Sequence, residues 1–240
     1  MVDHTVKAYD NELDMLDRRI AQMGSIAEKM VIDAMDALTN ADTILAHQVV
    51  ATDRRLDALQ HEVEQLAVMT IARRQPVAAD LRQIIAAIRI AGNLERIGDL
   101  AKNVAKRAIK VGSESPPLRG VIGLKHMTEV ALELVKDVLD AYIQRDPERA
   151  QDVWERDADL DALEHAVFRD LLTYMMEDPR NISFCAHLLF CSKNIERIGD
   201  HATNIAESVF YLATGSNLPI HRPKVRGETD RDAGAAGGDL

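Results

Sequence analysis

Apolar side chains recur every three or four residues through most of this chain. In the first stretch they fall at Leu13, Leu16, Ile20, Met23, Ala27, Met30, Ala34 and Leu38. That spacing marks one face of an α-helix and predicts a long amphipathic helix over Thr5 to Leu38. Thr39-Asn40-Ala41-Asp42 interrupts it, with Asp42 placed as an N-cap. A short helix is expected from Thr43 to Ala51. Thr52 is then expected to cap a longer one that runs to about Arg74 through Leu56, Leu59, Val63, Leu66 and Thr70. Gln75-Pro76 ends it, because proline disfavours helix in the residue before it. Asp80 is expected to cap a third long helix, Leu81 to about Lys110.

Val111-Gly112-Ser113-Glu114-Ser115-Pro116-Pro117 is the one clear linker pattern. The periodicity then restarts. Gly120 to Ile143 reads as a long amphipathic helix, and Asp146-Pro147 opens a short one with proline in its first turn. Asp157 to Met176 and Ile182 to Thr214 are the next two long helices. Asp178-Pro179-Arg180-Asn181 separates them, and Gly215 stands where a C-terminal glycine cap belongs.

The second half repeats the first. Asp36, Asp42, Asp53, Asp57, Ala58, Leu59 and His61 return at one constant spacing as Asp140, Asp146, Asp157, Asp161, Ala162, Leu163 and His165. The expected fold is therefore all-α, a tandem repeat of two three-helix antiparallel bundles. The bundles are placed at 1–111 and 120–215, with a linker at 112–119 and a loose Gly-, Pro- and charge-rich tail at 216–240. Composition agrees: the chain has 240 residues, 47% of them apolar but only 4% aromatic, which suits helix-on-helix packing better than sheet.

Charge narrows the chemistry. A formal net charge of -10 disfavours nucleic acid as a partner and leaves metal cations open. Cys185 and Cys191 fall on different faces of one expected helix, so a reducing compartment is the simplest reading. Met1 to Asp14 is polar and lacks the apolar core of a secretory signal, and no apolar run is long enough to span a bilayer. A soluble, cytoplasmic protein is expected, reaching a membrane only through partners.

The strongest signal is a stretch that occurs twice. Asn93-Leu94-Glu95-Arg96-Ile97-Gly98-Asp99-Leu100-Ala101-Lys102-Asn103 is matched by Asn194-Ile195-Glu196-Arg197-Ile198-Gly199-Asp200-His201-Ala202-Thr203-Asn204. Glu and Asp four apart share a helix face and repel each other, and a mid-helix glycine costs about 1 kcal/mol. Asp53 with Asp57, and Asp157 with Asp161, form further pairs on the preceding helices. Asp57 and Glu95 lie at similar distances from the Gln75-Pro76 turn, so the two pairs of that half are expected to face one another.

Leu81, Ile84, Ile85 and Ile88 draw an apolar stripe whose continuation is Glu95, Asp99 and Asn103. Carboxylates on a face turned toward other helices need a counter-charge. A bound cation supplies one. Salt bridges to Arg54, Arg55, Arg96, Lys102 and Lys106 are the other way to supply it.

Eight carboxylates are thus the candidate metal ligands: Asp53, Asp57, Glu95 and Asp99 in one half, Asp157, Asp161, Glu196 and Asp200 in the other. Such a hard oxygen set suits Mg, Ca, Mn or Fe better than Zn; His61 and His165 could add a nitrogen ligand, but a lone repeated histidine reads first as a polar helix residue. Gly98 and Gly199 are read as points of close helix approach, and His187, Cys185 and Cys191 as core. Arg73-Arg74-Gln75-Pro76 with Arg82 forms a basic loop that reads as solvated.

The doubled Glu-Arg-Ile-Gly-Asp-x-Ala-x-Asn block, with Arg74-Gln75-Pro76-Val77-Ala78-Ala79-Asp80-Leu81-Arg82, resembles the PhoU family of bacterial phosphate-transport accessory proteins. The resemblance covers Thr5 to about Gly215. In the second half Asp178-Pro179-Arg180-Asn181 replaces the Arg-Gln-Pro block. The resemblance implies a fold of two three-helix bundles and metal at the eight carboxylates, as multinuclear iron or zinc, with manganese or magnesium also open. It implies a homodimer without catalysis that represses phosphate uptake and the phosphate-starvation response. Its implied partners are the ATPase subunit of the high-affinity phosphate ABC transporter and a membrane sensor histidine kinase. A carboxylate-bridged metal enzyme is the alternative. Enzymes of that kind carry histidine three residues after glutamate, where this chain has Gly98 and Gly199.

Overall fold

The computed structural model describes residues 2–112 and 118–219. The linker pattern at 113–117 and the tail from 220 lie outside the described residues. Six long helices carry the chain: α1 Val2–Asn40, α2 Thr43–Arg74, α3 Ala78–Val111, α4 Leu118–Gln144, α5 Pro147–Glu177 and α6 Ile182–Thr214, with a single 3-10 turn, Pro179–Asn181, before α6. No strand occurs among the described residues.

Each break is made by its local chemistry. Ala41 takes a positive φ of 53°, and Asp42 then caps α2 by accepting a hydrogen bond from the Leu45 N–H at 2.9 Å. Such a cap contributes about 1 kcal/mol. Asp146 does the same for α5, accepting from the Glu148 and Arg149 N–H groups that follow Pro147 in the first turn. Gln75 ends α2 in the left-handed region, its N–H donating back to the Ile71 carbonyl. Gly215 ends α6 at φ 75°, donating to the Tyr211 carbonyl.

Four expectations give way here. The short helix over Thr43 to Ala51 does not stand apart, because α2 runs unbroken from Thr43 to Arg74. Its buried stripe, Ala46, Val49, Asp53, Leu56 and Leu59, keeps helical register across the supposed joint. Thr52 caps nothing, since its hydroxyl donates to the Gln48 carbonyl one turn back. For the same reason α5 runs continuously from Pro147 through Asp157. Asp80 does not cap α3, which starts at Ala78 behind Val77; Asp80 sits in the first turn and accepts from the Tyr9 hydroxyl at 3.0 Å.

Within the first half α1, α2 and α3 pack on one another, and within the second α4, α5 and α6 do so. The halves meet through α3 against α6 and α1 against α4. The α3–α6 seam is antiparallel: Arg89 stacks over Tyr211 near one end, Asn93 meets His201, and Arg107 meets His187 toward the other. At the α1–α4 seam Asp17 accepts from the Tyr142 hydroxyl and from Arg145. Apolar residues of both halves form one continuous core, running from Leu16 and Met30 through Ile97 and Ala101 to Leu134, Ile198 and Val209. The helices α2 and α5 lie on the outer flanks, which leaves the α2–α3 and α5–α6 grooves to hold the acidic motifs.

Candidate metal centres

The duplicated glycine is what lets each groove close. A Cβ on Gly98 would overlap Leu56 of α2, and one on Gly199 would overlap Leu160 of α5. The neighbouring helix therefore comes in against the backbone of the motif and brings Asp53 or Asp157 with it, both of them buried. A Cβ at Gly199 would also stand 3.2 Å from the Asp157 carboxylate. Packing and charge are coupled at that point, since the residue that gives the approach also makes room for an acid.

In the first groove Asp53 and Asp57 of α2 meet Glu95 and Asp99 of α3. Burial raises the Glu95 pKa, and Asp99, Asp57 and Asp53 raise it further. Asp57 is raised by burial and then by Asp53 and Asp99. The counter-charge comes from within the chain. Lys102 Nζ lies 2.6 Å from Asp53 and 2.5 Å from Asp99, with only 19% of its side chain exposed. Burial alone would lower the lysine pKa, yet its hydrogen bonds to Asp53 and Asp99 raise it on balance. Arg96 reaches Glu95 and Asp99 more loosely, at 3.5 and 3.4 Å, from a largely exposed position.

In the second groove Asp157 and Asp161 of α5 meet Glu196 and Asp200 of α6. Burial raises the Asp200 pKa, followed by Glu196, Asp157 and Asp161. The place of Lys102 is taken by Thr203, whose hydroxyl donates to the Asp200 main-chain carbonyl. The cation here is Lys193, 2.6 Å from one Glu196 oxygen but 58% exposed. The other Glu196 oxygen, Oε2, is buried without a hydrogen-bond partner among the described residues. Glu164, a turn beyond Asp161, also acts on Lys193 and is itself largely buried. It is a member of the site that a comparison of the repeats passes over, because Gln60 holds the matching place in α2.

The histidines stand at the exposed rims of the clusters, His61 near enough to act on Asp57 and His165 Nδ1 3.6 Å from a Glu164 oxygen. His61 is exposed and faces Glu64, and exposed His165 hydrogen-bonds the Asp161 carbonyl through Nδ1. Cys185 and Cys191 are buried free thiols of the core, while half-buried His187 faces Arg107. Arg74 of the basic loop is bound by Glu12 through two hydrogen bonds at 2.8 and 3.1 Å, so it ties α2 to α1.

Among the described residues no group of three or more His, Cys, Asp or Glu side chains is placed so that, as it stands, it could hold a metal ion. The donor chemistry fits a hard cation best in the second groove. There a buried carboxylate oxygen lacks a partner and three further acids raise the Asp200 pKa. In the first groove the same fit requires Lys102 to swing away.

A family model described as "PhoU domain" matches residues 20–108 and again 124–209. A "Phosphate-specific transport system accessory protein PhoU homolog" of Rhizobium meliloti is 53% identical over 221 residues, 92% of this chain and 93% of that protein. A Caulobacter vibrioides protein of the same description is 49% identical over 94% of this chain and 98% of its own length. The crystal structure of PhoU from Pseudomonas aeruginosa superposes with a TM-score of 0.83 at 39% identity, over 87% of this chain and all of that one. The phosphate transport system regulatory protein PhoU from Streptococcus pneumoniae shares the fold, with a TM-score of 0.81 at 24% identity.

Proposed function

The chain belongs to the PhoU family, and from that premise we propose that it is a metal-binding adaptor that restrains phosphate uptake and the phosphate-starvation response. The family is one of accessory proteins rather than enzymes, and the relatives are named for a phosphate-specific transport system. The partners in this reading are the ATPase subunit of the high-affinity phosphate ABC transporter and a sensor histidine kinase. The protein acts from the cytoplasm, as a homodimer, and meets the membrane through those partners. Among the described residues no helix is long and apolar enough to cross a membrane.

One observation carries the metal part of the reading: each half gathers carboxylates from two helices onto a groove, and in the second half a buried Glu196 oxygen has no hydrogen-bond partner. Asp157, Asp161, Glu196 and Asp200 would hold the cation there. Asp53, Asp57, Glu95 and Asp99 would do so once the Lys102 ammonium leaves. A bound cation supplies positive charge among these acids and so locks α5 to α6, or α2 to α3. Exposed Val68, Met69, Val77 and Leu81 at the α2–α3 turn, and Phe168, Leu172, Met176 and Ile182 at the α5–α6 turn, support docking of partners at those ends.

The test is genetic and analytical together. A strain lacking the protein should keep starvation genes on in rich phosphate. The intact chain should restore repression, and the Glu196→Gln/Asp200→Asn double variant should restore it poorly. Elemental analysis of chain purified without chelator should find metal. Normal repression in the deletion strain removes the regulatory reading, and a metal-free intact chain removes the metal reading.

A further inference from the structure

The seam between α3 and α6 opens into a cleft at each end, and the two clefts differ in charge. One has a volume of about 460 Å³ and its lining includes Arg89, Asn93, Glu95 and Arg96 of α3 with Asn204 and Glu207 of α6, so two cations and two carboxylates share it. The other, of about 300 Å³, is lined by Asn103, Lys106, Arg107 and Lys110 of α3 with Asn194 of α6. The repeat relates them. Asn93 and Asn204 in one cleft correspond to Asn194 and Asn103 in the other, and where the first has Glu207 and Ser208 the second has Lys106 and Arg107. The all-cationic end is therefore a property of this cleft and not of the duplication.

Three cations converge there in a chain whose formal net charge is -10. Among the described residues no ion pair neutralises Lys106, Arg107 or Lys110. Lys110 lies in the last turn of α3, where a cation offsets the helix dipole. That accounts for one charge and leaves Arg107 unexplained. Its guanidinium is fixed by the other half, 4.3 Å from the Phe190 ring and 3.4 Å from His187 Nδ1. A guanidinium held by stacking has little orientation left to lose when it forms a forked pair with an oxyanion.

The geometry points to a binding site in this cleft for a small oxyanion of the phosphate class, held between the two halves. Lys106, Lys110 and Arg107 supply charge. Asn103 offers amide N–H groups and an amide oxygen, and Asn194, whose amide nitrogen already donates to the Phe190 carbonyl, offers its oxygen and one remaining N–H. A hydrogen phosphate can therefore give as well as receive hydrogen bonds there, whereas sulfate only receives them. An anion so placed touches α3 of one half and α6 of the other, and its binding free energy adds to the stability of the seam.

Titration calorimetry of the full chain with inorganic phosphate, pyrophosphate and sulfate tests the site. One saturable site is expected, preferring phosphate or pyrophosphate to sulfate by about threefold or more. Phosphate as the tighter ligand identifies a free oxyanion, and pyrophosphate as the tighter one identifies the phosphoryl end of a larger molecule. The exposed pair Lys106→Gln/Lys110→Gln, and separately Arg107→Gln, should weaken binding by about tenfold with unchanged helicity. The same charge change on α4, Lys125→Gln/Lys136→Gln, should move it by less than about twofold. No saturable binding of phosphate or pyrophosphate, sulfate bound as tightly, or an equal loss in the α4 control pair would each overturn the site.

Discussion

The two acidic grooves share four matching carboxylates and meet their charge differently. In the first, Lys102 places its ammonium between Asp53 and Asp99 and is mostly buried in doing so. In the second, Thr203 stands in that place, the nearby lysine is Lys193 on the exposed rim, and a Glu196 oxygen is left without a partner. Position 92, which matches Lys193, is glycine. The repeats have thus kept their acids and exchanged the location of one cation. An internal ammonium satisfies a carboxylate cluster and competes with any metal that would enter it, whereas a rim lysine is hydrated and screened. If the proposed metal binds, the second groove would be the better site, because Lys102 occupies the first.

The largest expected effect tests that inequality. Glu196→Gln/Asp200→Asn should strip most of the metal from protein purified without chelator, while Glu95→Gln/Asp99→Asn should remove little, as read by elemental analysis. Equal losses would break the asymmetry. Next in size, Lys102→Gln removes the partner of buried Asp53. The chelated protein should lose about 1–3 kcal/mol in urea unfolding, because a buried charge is left unpaired. The same variant should gain metal in its first groove, and Thr203→Lys should lose it from the second.

Packing offers a control, since each glycine admits a leucine of the neighbouring helix, with the Asp157 carboxylate an added neighbour at Gly199 alone. Gly98→Ala and Gly199→Ala should each cost about 1–3 kcal/mol through overlap with Leu56 or Leu160, less about 1 kcal/mol returned by better helix propensity. Near-equal losses in thermal unfolding sharpen the contrast, because then only the charge differs between halves.

The smallest effect is on pH. Asp57, Glu95 and Asp200 have raised pKa values in the fold, so the folded chain binds these protons more tightly than the unfolded one. Their penalty is present above the raised values and is relieved as pH falls through them. Chelated protein should therefore melt slightly higher in mild acid than at neutrality, and metal affinity should fall over the same interval. For Lys102 the sign is opposite: its raised pKa means stabilisation present below the ordinary lysine value and lost as pH rises through the folded one. An unchanged melting temperature in mild acid would show that the carboxylates do not crowd one another.

The helices were legible because the apolar stripe at Leu16, Ile20, Met23, Ala27 and Met30 leaves no other period to choose. Thr52 misled because a threonine hydroxyl serves equally as a cap or as a bond to the preceding turn, and only the unbroken stripe through Val49, Asp53 and Leu56 decides between them. The glycines read correctly as contact points for the same reason that they repeat. The grooves were less legible. Lys102 was one of several cations within reach, and helical angle alone does not say where a four-carbon chain ends. Glu164 was hidden by the comparison itself, which keeps positions that match and discards those where one half carries Gln60. The informative positions proved to be the mismatches, Lys102 against Thr203 and Gly92 against Lys193.

The continuous core has a consequence of its own. Ile97 and Ala101 of α3 and Ile198 of α6 belong to a single buried mass, so neither triplet of helices owns a finished interior. Cut apart, each would present a greasy flank with a twofold-related twin as its natural cover. Two such fragments mixed in solution should seek one another and re-form the whole, much as subunits do, and the intact polypeptide should melt in one step with no surviving half.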